Sequence, residues 1–232
     1  KQPTQIDVND EAGRYAVSYD PNSIEVGSTA VNDQSITTIV PERGNVSSYV
    51  LTADAKHLYV TARSTLLRYD LAHPDRPQDM GLQATRVALT PDRQLLAVSL
   101  ADGALTFRDP ETLERIGHDI QGGSTYPLVA MSADGSTLAT TSLGSMRLFD
   151  MKDRRALGPV VEIDPQSGLV MAPDSSTVYV ERNRKVVAVS LDRAKWLATA
   201  CQSAGRNLTK TEWATYLDGE PHKTCGQWPA PR

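Results

Sequence analysis

The sequence has few aromatic residues, only two cysteines and no long hydrophobic run. Aromatic residues make up 6% of its 232 residues, whereas glycine and proline number 15 and 14. A low aromatic content with many turn-forming residues favours many short strands over a bundle of long helices. No segment approaches the roughly 20 apolar residues that a membrane-spanning helix needs. We therefore expect no membrane contact by this segment.

The sequence also lacks an excess of basic residues. It has 24 Lys and Arg against 28 Asp and Glu, which gives a net charge of -4. Because a nucleic-acid binder neutralises phosphates with a basic stripe, nucleic acid is not an expected partner. The N-terminus carries no secretory signal and begins at Lys1 rather than Met. We therefore expect a piece of a longer polypeptide with domains upstream.

Catalytic motifs and metal-ligand spacings are missing as well. The histidines are His57, His73, His118 and His222, and no two of them lie within four residues of each other, so they form no cluster. Zinc sites need such clusters. The sequence has no nucleophile elbow, no phosphate-binding loop and no dinucleotide glycine cluster. The residues therefore predict no metal, no cofactor and no catalytic group.

What the sequence does contain is a repeat. Five segments read as strand, turn and strand, at 8–17, 51–60, 89–98, 131–140 and 171–180. The acidic residues at their turns are Glu11, Asp54, Asp92, Asp134 and Asp174. These acids recur about every 40 residues, which is the period of one four-stranded propeller blade. Short side chains with a carboxylate suit such turns because they bind their own backbone.

A third strand follows each hairpin, so the fold class is predicted to be all-β. We expect a β-propeller of about five four-stranded antiparallel blades, in units of about 1–45, 46–83, 84–126, 127–165 and 166–191. The last unit lacks an obvious fourth strand. The blades therefore form either a small five-bladed ring or part of a larger one.

The period changes near residue 192, where a helical tail over 192–232 begins. Asp192 is placed to cap one helix, and Gly205 to end it. Thr209 and Glu212 form a capping box for a second helix, which is expected to end near Asp218. The apolar stripes include Trp196 and Trp213, so the tail is expected to pack on the last blade.

The ends of three third strands resemble the Trp-Asp dipeptide of WD repeats. These endings are Tyr69-Asp70, Arg108-Asp109 and Phe149-Asp150. The chain is thus similar to a degenerate WD-repeat propeller. It departs from the family in lacking the Gly-His pair that opens each repeat. We therefore expect the blades to stack mainly through apolar burial.

The tail carries a second resemblance. The residues Trp196, Ala200-Cys201, Ala204 to Thr209, Glu212-Trp213, Tyr216 and Thr224-Cys225 look like the ending of large actinobacterial propeller proteins. That resemblance implies the C-terminal propeller of a bacterial multidomain signalling protein with an upstream STAND-type ATPase. A hydrophobic segment often precedes such propellers and could place them outside the membrane. The expected location is therefore either cytoplasmic or extracytoplasmic. Cys201 and Cys225 are accordingly a disulfide candidate, with two buried thiols as the alternative.

The predicted function is recognition rather than catalysis. The chain is expected to be a scaffold or sensor propeller that binds a protein or small ligand and is not an enzyme. The candidate binding residues lie in the turns after the second strands: Arg63, Ser64, Asp102, Gly103, Gly144, Asn183 and Arg184. Two alternatives stay open. One is a lactonase- or quinoprotein-like enzyme with a site in the central channel, and the other is an array that only stabilises its neighbouring domain.

Overall fold

The structure is a computed structural model that describes residues 3–42, 44–121, 129–165, 167–217 and 219–229. The chain divides into two compact units, 1–189 and 190–232. Antiparallel sheets follow one another along the first unit, and two helices lie in the second. The predicted all-β propeller fold with a short helical tail is thereby confirmed.

The first blade is a four-stranded antiparallel sheet. Its strands, in order, are β1 (Gln5–Asn9), β2 (Arg14–Asp20), β3 (Ser23–Ser28) and β4 (Ile36–Ile39). Alternate residues point to opposite faces of a strand, so one face of this sheet is formed by buried residues such as Ala16, Ile24 and Val26. This face packs against the second blade.

The second and third blades share one long strand. The second blade holds β5 (Val46–Leu51), β6 (His57–Ala62), β7 (Thr65–Asp70) and the first half of β8 (Gln78–Leu89). The third holds the second half of β8, then β9 (Leu96–Leu100), β10 (Ala104–Arg108) and β11 (Ile120–Gln121). Gln83 pairs with Thr65 and Ala84 with Leu100, so β8 changes partners between these two residues. The sequence period places a unit boundary at the same point.

The fourth blade again has four strands, and the fifth has three among the described residues. The fourth holds β12 (Val129–Met131), β13 (Thr137–Ser142), β14 (Ser145–Asp150) and β15 (Arg155–Glu162). The fifth holds β16 (Leu169–Met171), β17 (Thr177–Arg182) and β18 (Lys185–Ser190). Within the described residues, β18 is an edge strand of its sheet.

The acidic residues of the repeat close the hairpins between the first and second strands. The Asp54 carboxylate accepts hydrogen bonds from the Thr52 hydroxyl (2.8 Å) and the Lys56 N–H (3.0 Å). The N–H two residues after the acid binds Asp92, Asp134 and Asp174 in the same way. In the first hairpin, Asn9 rather than Glu11 accepts the turn bond. The repeated acid is therefore a turn residue.

The aspartates that end the third strands act in a similar local way. The carboxylates of Asp70, Asp109 and Asp150 each accept the N–H of the residue two positions later, at 2.8 to 2.9 Å. These bonds fix the start of the connection to the next strand. The feature that resembles the WD dipeptide thus stabilises the chain reversal after the third strand.

Apolar clusters join the first four blades in succession. One cluster spans the first and second blades and includes Ile24, Ile39 and Leu58. A second spans the second and third blades, and a third, around Phe107 and Leu138, spans the third and fourth. Polar contacts add to this burial, because the Asn9 amide donates to the carbonyls of the second hairpin. Blade stacking therefore combines apolar burial with side-chain hydrogen bonds such as those of Asn9, although the Gly-His pair of WD repeats is missing.

The second unit contains helices α1 (Arg193–Ala204) and α2 (Lys210–Tyr216). The Asp192 carboxylate accepts the N–H groups of residues 194 and 195, and Gly205 ends α1 in the left-handed conformation. Thr209 and Glu212 form the predicted capping box of α2. Asp218, expected near the end of this helix, lies outside the described residues.

Candidate functional site

The predicted recognition residues occupy the turns between the second and third strands of four blades. Backbone φ is positive at Arg63 (46°) and Ser64 (60°), and again at Asn183 (54°) and Arg184 (58°). Two consecutive residues of positive φ form the two-residue turn whose twist matches that of the flanking strands. The equivalent turns of the third and fourth blades obtain positive φ from glycine.

These turns come together in two neighbouring pairs. The segment that joins the second and third blades bonds to both of their turns, since the Ala84 N–H donates to the Ser64 carbonyl (3.0 Å) and the Gln83 carbonyl accepts the Ala101 N–H (2.9 Å). The segment at 163–164 does the same for the fourth and fifth blades. Each pair of turns is therefore linked through one shared segment, and we call such a pair a paired-turn surface.

The carboxylate of Asp164 fixes the turn between β17 and β18. Asp164 accepts the backbone N–H groups of Arg184 and Asn183, both at 2.9 Å. These two bonds hold the pKa of Asp164 below its ordinary value. The ionised carboxylate keeps the turn backbone in place while the two side chains remain exposed.

The predicted residues differ in what they can present to a partner. The exposed ones are Arg63, Asp102, Asn183 and Arg184. Gly103 and Gly144 have no side chain, and Ser64 is half-buried, so these three shape the turns rather than present a side chain. Leu143, next to Gly144, is 88% exposed. An isolated apolar side chain at a turn tip, flanked by charged tips, is a composition suited to protein contact.

A cavity of about 250 Å³ lies between the first strands of the first four blades. Its lining comes from β1, β5, β8, β9 and β12 and includes Gln5, Asp7, Ser48, Arg86 and Val129. All of these strands except β9 are the first strands of their blades, which face the central channel in a propeller, so the cavity lies on the channel side. The sequence analysis did not single out any of these residues.

An ion pair spans three blades beside this cavity. The Arg93 guanidinium of the third blade binds the Asp7 carboxylate of the first at 3.2 and 3.3 Å. It also donates to the Leu51 carbonyl of the second blade (2.7 Å) and to the Val8 carbonyl (2.5 Å). Asp7 in turn accepts the Leu51 N–H at 2.7 Å. Both side chains are more than four-fifths buried.

Arg86 is the other charged residue of the cavity, and its surroundings are different. Its Nη1 donates one long bond to the Ser47 carbonyl (3.4 Å). Its Nε is buried and has no acceptor among the described residues. Burial lowers the pKa of Arg86. The other repeats carry uncharged residues at the position of Arg86. A cation at this position of a first strand is the sequence signal that could have identified Arg86.

No group of three or more His, Cys, Asp or Glu that could hold a metal ion occurs in the part of the chain that the structure describes. Among the same residues, no helix has the length and apolar content to cross a membrane.

The helical tail is organised around Asn207. Its amide nitrogen donates to the carbonyls of Cys225, Trp228 and Pro229, at 3.2, 3.2 and 2.6 Å. Its amide oxygen accepts the N–H groups of Thr224 and Cys225, at 3.0 and 2.8 Å. Cys201 and Cys225 form a disulfide, which joins α1 to the same C-terminal segment.

A salt bridge lies beside this centre. The Arg206 guanidinium binds both Glu212 carboxylate oxygens at 2.7 Å. The hydrogen bonds from Arg206 and from the Thr209 N–H lower the pKa of Glu212 to about 2. The motif that carries the family resemblance of the tail is therefore a connected set of structural bonds.

Comparison with known proteins gives the fold and no more. No family model and no curated protein matches the sequence. Among solved structures, the chain is similar to Kuenenia stuttgartiensis hydrazine synthase, with a TM-score of 0.61 and 19% identity over 77% of this chain and 55% of that one. It is also similar to the β-propeller domain of Myceliophteria thermophila Cps50 (Swd1), with a TM-score of 0.57 and 12% identity over 77% of this chain and 61% of that one. The chain thus spans a little over half the length of these structures, and the likeness shows that it has a β-propeller fold.

Proposed function

We propose that the chain is a non-catalytic recognition module that binds a protein partner through its paired-turn surfaces. The observation that carries this proposal is the geometry of the turns. The backbone of each turn is held by hydrogen bonds to a segment that joins two neighbouring blades, while Arg63, Leu143 and Arg184 stand exposed. Preorganised backbone lowers the entropy lost on binding.

The charges and the apolar residue at the tips favour a protein surface as the partner. Arginine is enriched in protein interfaces because its planar group binds carboxylates and packs on apolar groups at once. The β-propeller domain of Cps50 (Swd1), to which the chain is similar, has the same fold. An acidic group beside an apolar one on the partner would complement Arg184 and Leu143, and a further acidic group would complement Arg63.

A triple variant tests this proposal. Arg63→Glu, Leu143→Ser and Arg184→Glu change the tips without touching the buried strands. The matched control, Lys56→Glu with Gln94→Glu, alters exposed residues of the hairpins between first and second strands. Proteins captured from extracts of the source organism by each immobilised chain are compared by quantitative mass spectrometry. A protein retained by the wild type and the control but lost with the triple variant supports the proposal, and equal capture by all three chains contradicts it.

A catalytic propeller is the second candidate. The observation in its favour is that one of the similar structures is a hydrazine synthase. Activity at the channel would require groups near Asp7, Arg86 and Arg93. Screening hydrolysis of lactones and reduction of quinone-type acceptors separates the two candidates: turnover that Asp7→Asn abolishes and the triple turn variant leaves intact would favour the enzyme.

We also propose that the propeller belongs to a larger bacterial signalling protein and works outside the cytoplasm. The Cys201–Cys225 disulfide supports this location, because disulfides persist in oxidising compartments. Acid-quenched cells treated with a maleimide of high mass would show no labelling of the native protein before reduction and two labels after it. Labelling without reduction would place the protein in a reducing compartment.

A further inference from the structure

Arg86 lines the central cavity and forms no ion pair with any residue that the structure describes. It is half-buried on β8, and the cavity around it is lined by four blades. A guanidinium carries five N–H donors. The described structure gives Arg86 one hydrogen bond, the long one to Ser47, and leaves the buried Nε without an acceptor.

The acids of the propeller do not neutralise this charge. Asp7 is the acidic residue of the cavity lining, and it is bound to Arg93 through both carboxylate oxygens. Burial is the cause of the lowered pKa of Arg86. The undescribed residues of this unit are Lys1, Gln2, Arg43, 122–128 and Gln166, and none of them is Asp or Glu.

A partly buried cation without an anion is costly, since transfer of an unpaired charge out of water is strongly unfavourable. Such a residue at the wall of a cavity is a common sign of a binding group. We propose that the central cavity binds a small monocarboxylate with a short aliphatic body, whose carboxylate accepts hydrogen bonds from the Arg86 guanidinium. This inference goes beyond protein recognition at the turns and does not depend on it.

The lining decides the chemical class of the ligand. One uncompensated positive charge matches one negative charge, whereas inorganic phosphate would bring up to two. The guanidinium fork matches the geometry of a carboxylate, with two parallel N–H···O bonds. Aliphatic residues from four strands, Ile6, Val50, Val87 and Val129, supply apolar contact for a hydrocarbon body. A volume of about 250 Å³ limits the ligand to a small molecule.

Titration calorimetry of the full chain with isovalerate tests the proposal. Isovaleramide has nearly the same shape without the charge, and inorganic phosphate has the charge without the apolar body. We expect isovalerate to bind the wild type, and the other two probes to bind at least tenfold more weakly. Absence of isovalerate binding, or tighter binding of phosphate, would overturn the proposal.

Two variants connect the binding to Arg86. Arg86→Gln removes the charge, and Arg147→Gln is the matched control on an exposed strand position. Isovalerate affinity is expected to fall at least tenfold in Arg86→Gln and to stay unchanged in Arg147→Gln. The thermal midpoint of ligand-free Arg86→Gln is expected to equal or exceed that of the wild type, which shows that the variant folds. A lowered midpoint would make Arg86 a structural residue and overturn the proposal, as would unchanged affinity.

Discussion

Arg93 brings one positive charge to a point where three blades meet. It binds the carboxylate of Asp7 and two backbone carbonyls, and Asp7 binds the Leu51 N–H. Each partner therefore satisfies several buried groups of the other blades. A pair of this kind matters for stability mainly because removal of one member leaves the other unpaired.

Asp7→Asn is expected to lower the free energy of unfolding by about 2 kcal/mol, since the buried Arg93 would lose its counter-charge. Denaturant unfolding followed by far-ultraviolet circular dichroism measures this change. Asp10→Asn is the control, because Asp10 is exposed in the adjacent turn. Equal stability of the two variants would show that the ion pair contributes nothing to blade stacking.

At the scale of elements, the hairpins carry both the repeat and the candidate surface. The hairpin between β17 and β18 turns at Asn183 and Arg184, both of positive φ. Asparagine followed by glycine is the preferred sequence for such a turn, because glycine adopts positive φ without a steric cost. Arg184 therefore occupies this turn position at a conformational cost.

Arg184→Gly is expected to raise the free energy of unfolding by about 0.5 kcal/mol, since the relief of left-handed backbone strain exceeds the added chain entropy of glycine. Thermal unfolding measures the shift. Arg147→Gly places the same change in the middle of β14, where glycine weakens a strand, and should lower stability. A loss of stability in Arg184→Gly would mean that the arginine side chain supports the fold.

In the whole molecule, the two units can be followed by different spectroscopic signals. All three tryptophans, Trp196, Trp213 and Trp228, lie in the tail unit. Their fluorescence therefore follows the tail, whereas the strand signal in circular dichroism follows the propeller. A unit of this size needs a covalent cross-link such as a disulfide, because small units bury too little apolar surface for stability.

Reduction of the disulfide is expected to destabilise the tail unit by about 3 kcal/mol, from the chain entropy released when a loop of this size opens. The denaturant midpoint of tryptophan fluorescence should fall accordingly, by more than any change in the strand signal. A variant with Cys201→Ser and Cys225→Ser should behave like the reduced protein. An unchanged fluorescence midpoint would show that the Asn207 hydrogen bonds are sufficient by themselves.

The strands, their turns and the helix caps could be predicted from the sequence alone. These features depend on residues within a few positions of each other: alternation sets the buried faces, Asp54 and its counterparts bind backbone N–H groups two residues away, and Thr209 pairs with Glu212. The candidate turns were found for the same reason. That Ser64 would be half-buried was not readable from the sequence, because its exposure depends on neighbouring segments.

The contacts between residues far apart in the sequence, in contrast, depend on how the whole chain folds. Asp7 and Arg93 lie 86 positions apart, and no local pattern pairs them. The cavity around Arg86 exists because the first strands of four blades lie side by side, and the paired-turn surfaces exist because the connections between blades bond to the turns on both sides. Periodicity specifies each blade, whereas the environment of a charge depends on the packing of one blade against the next.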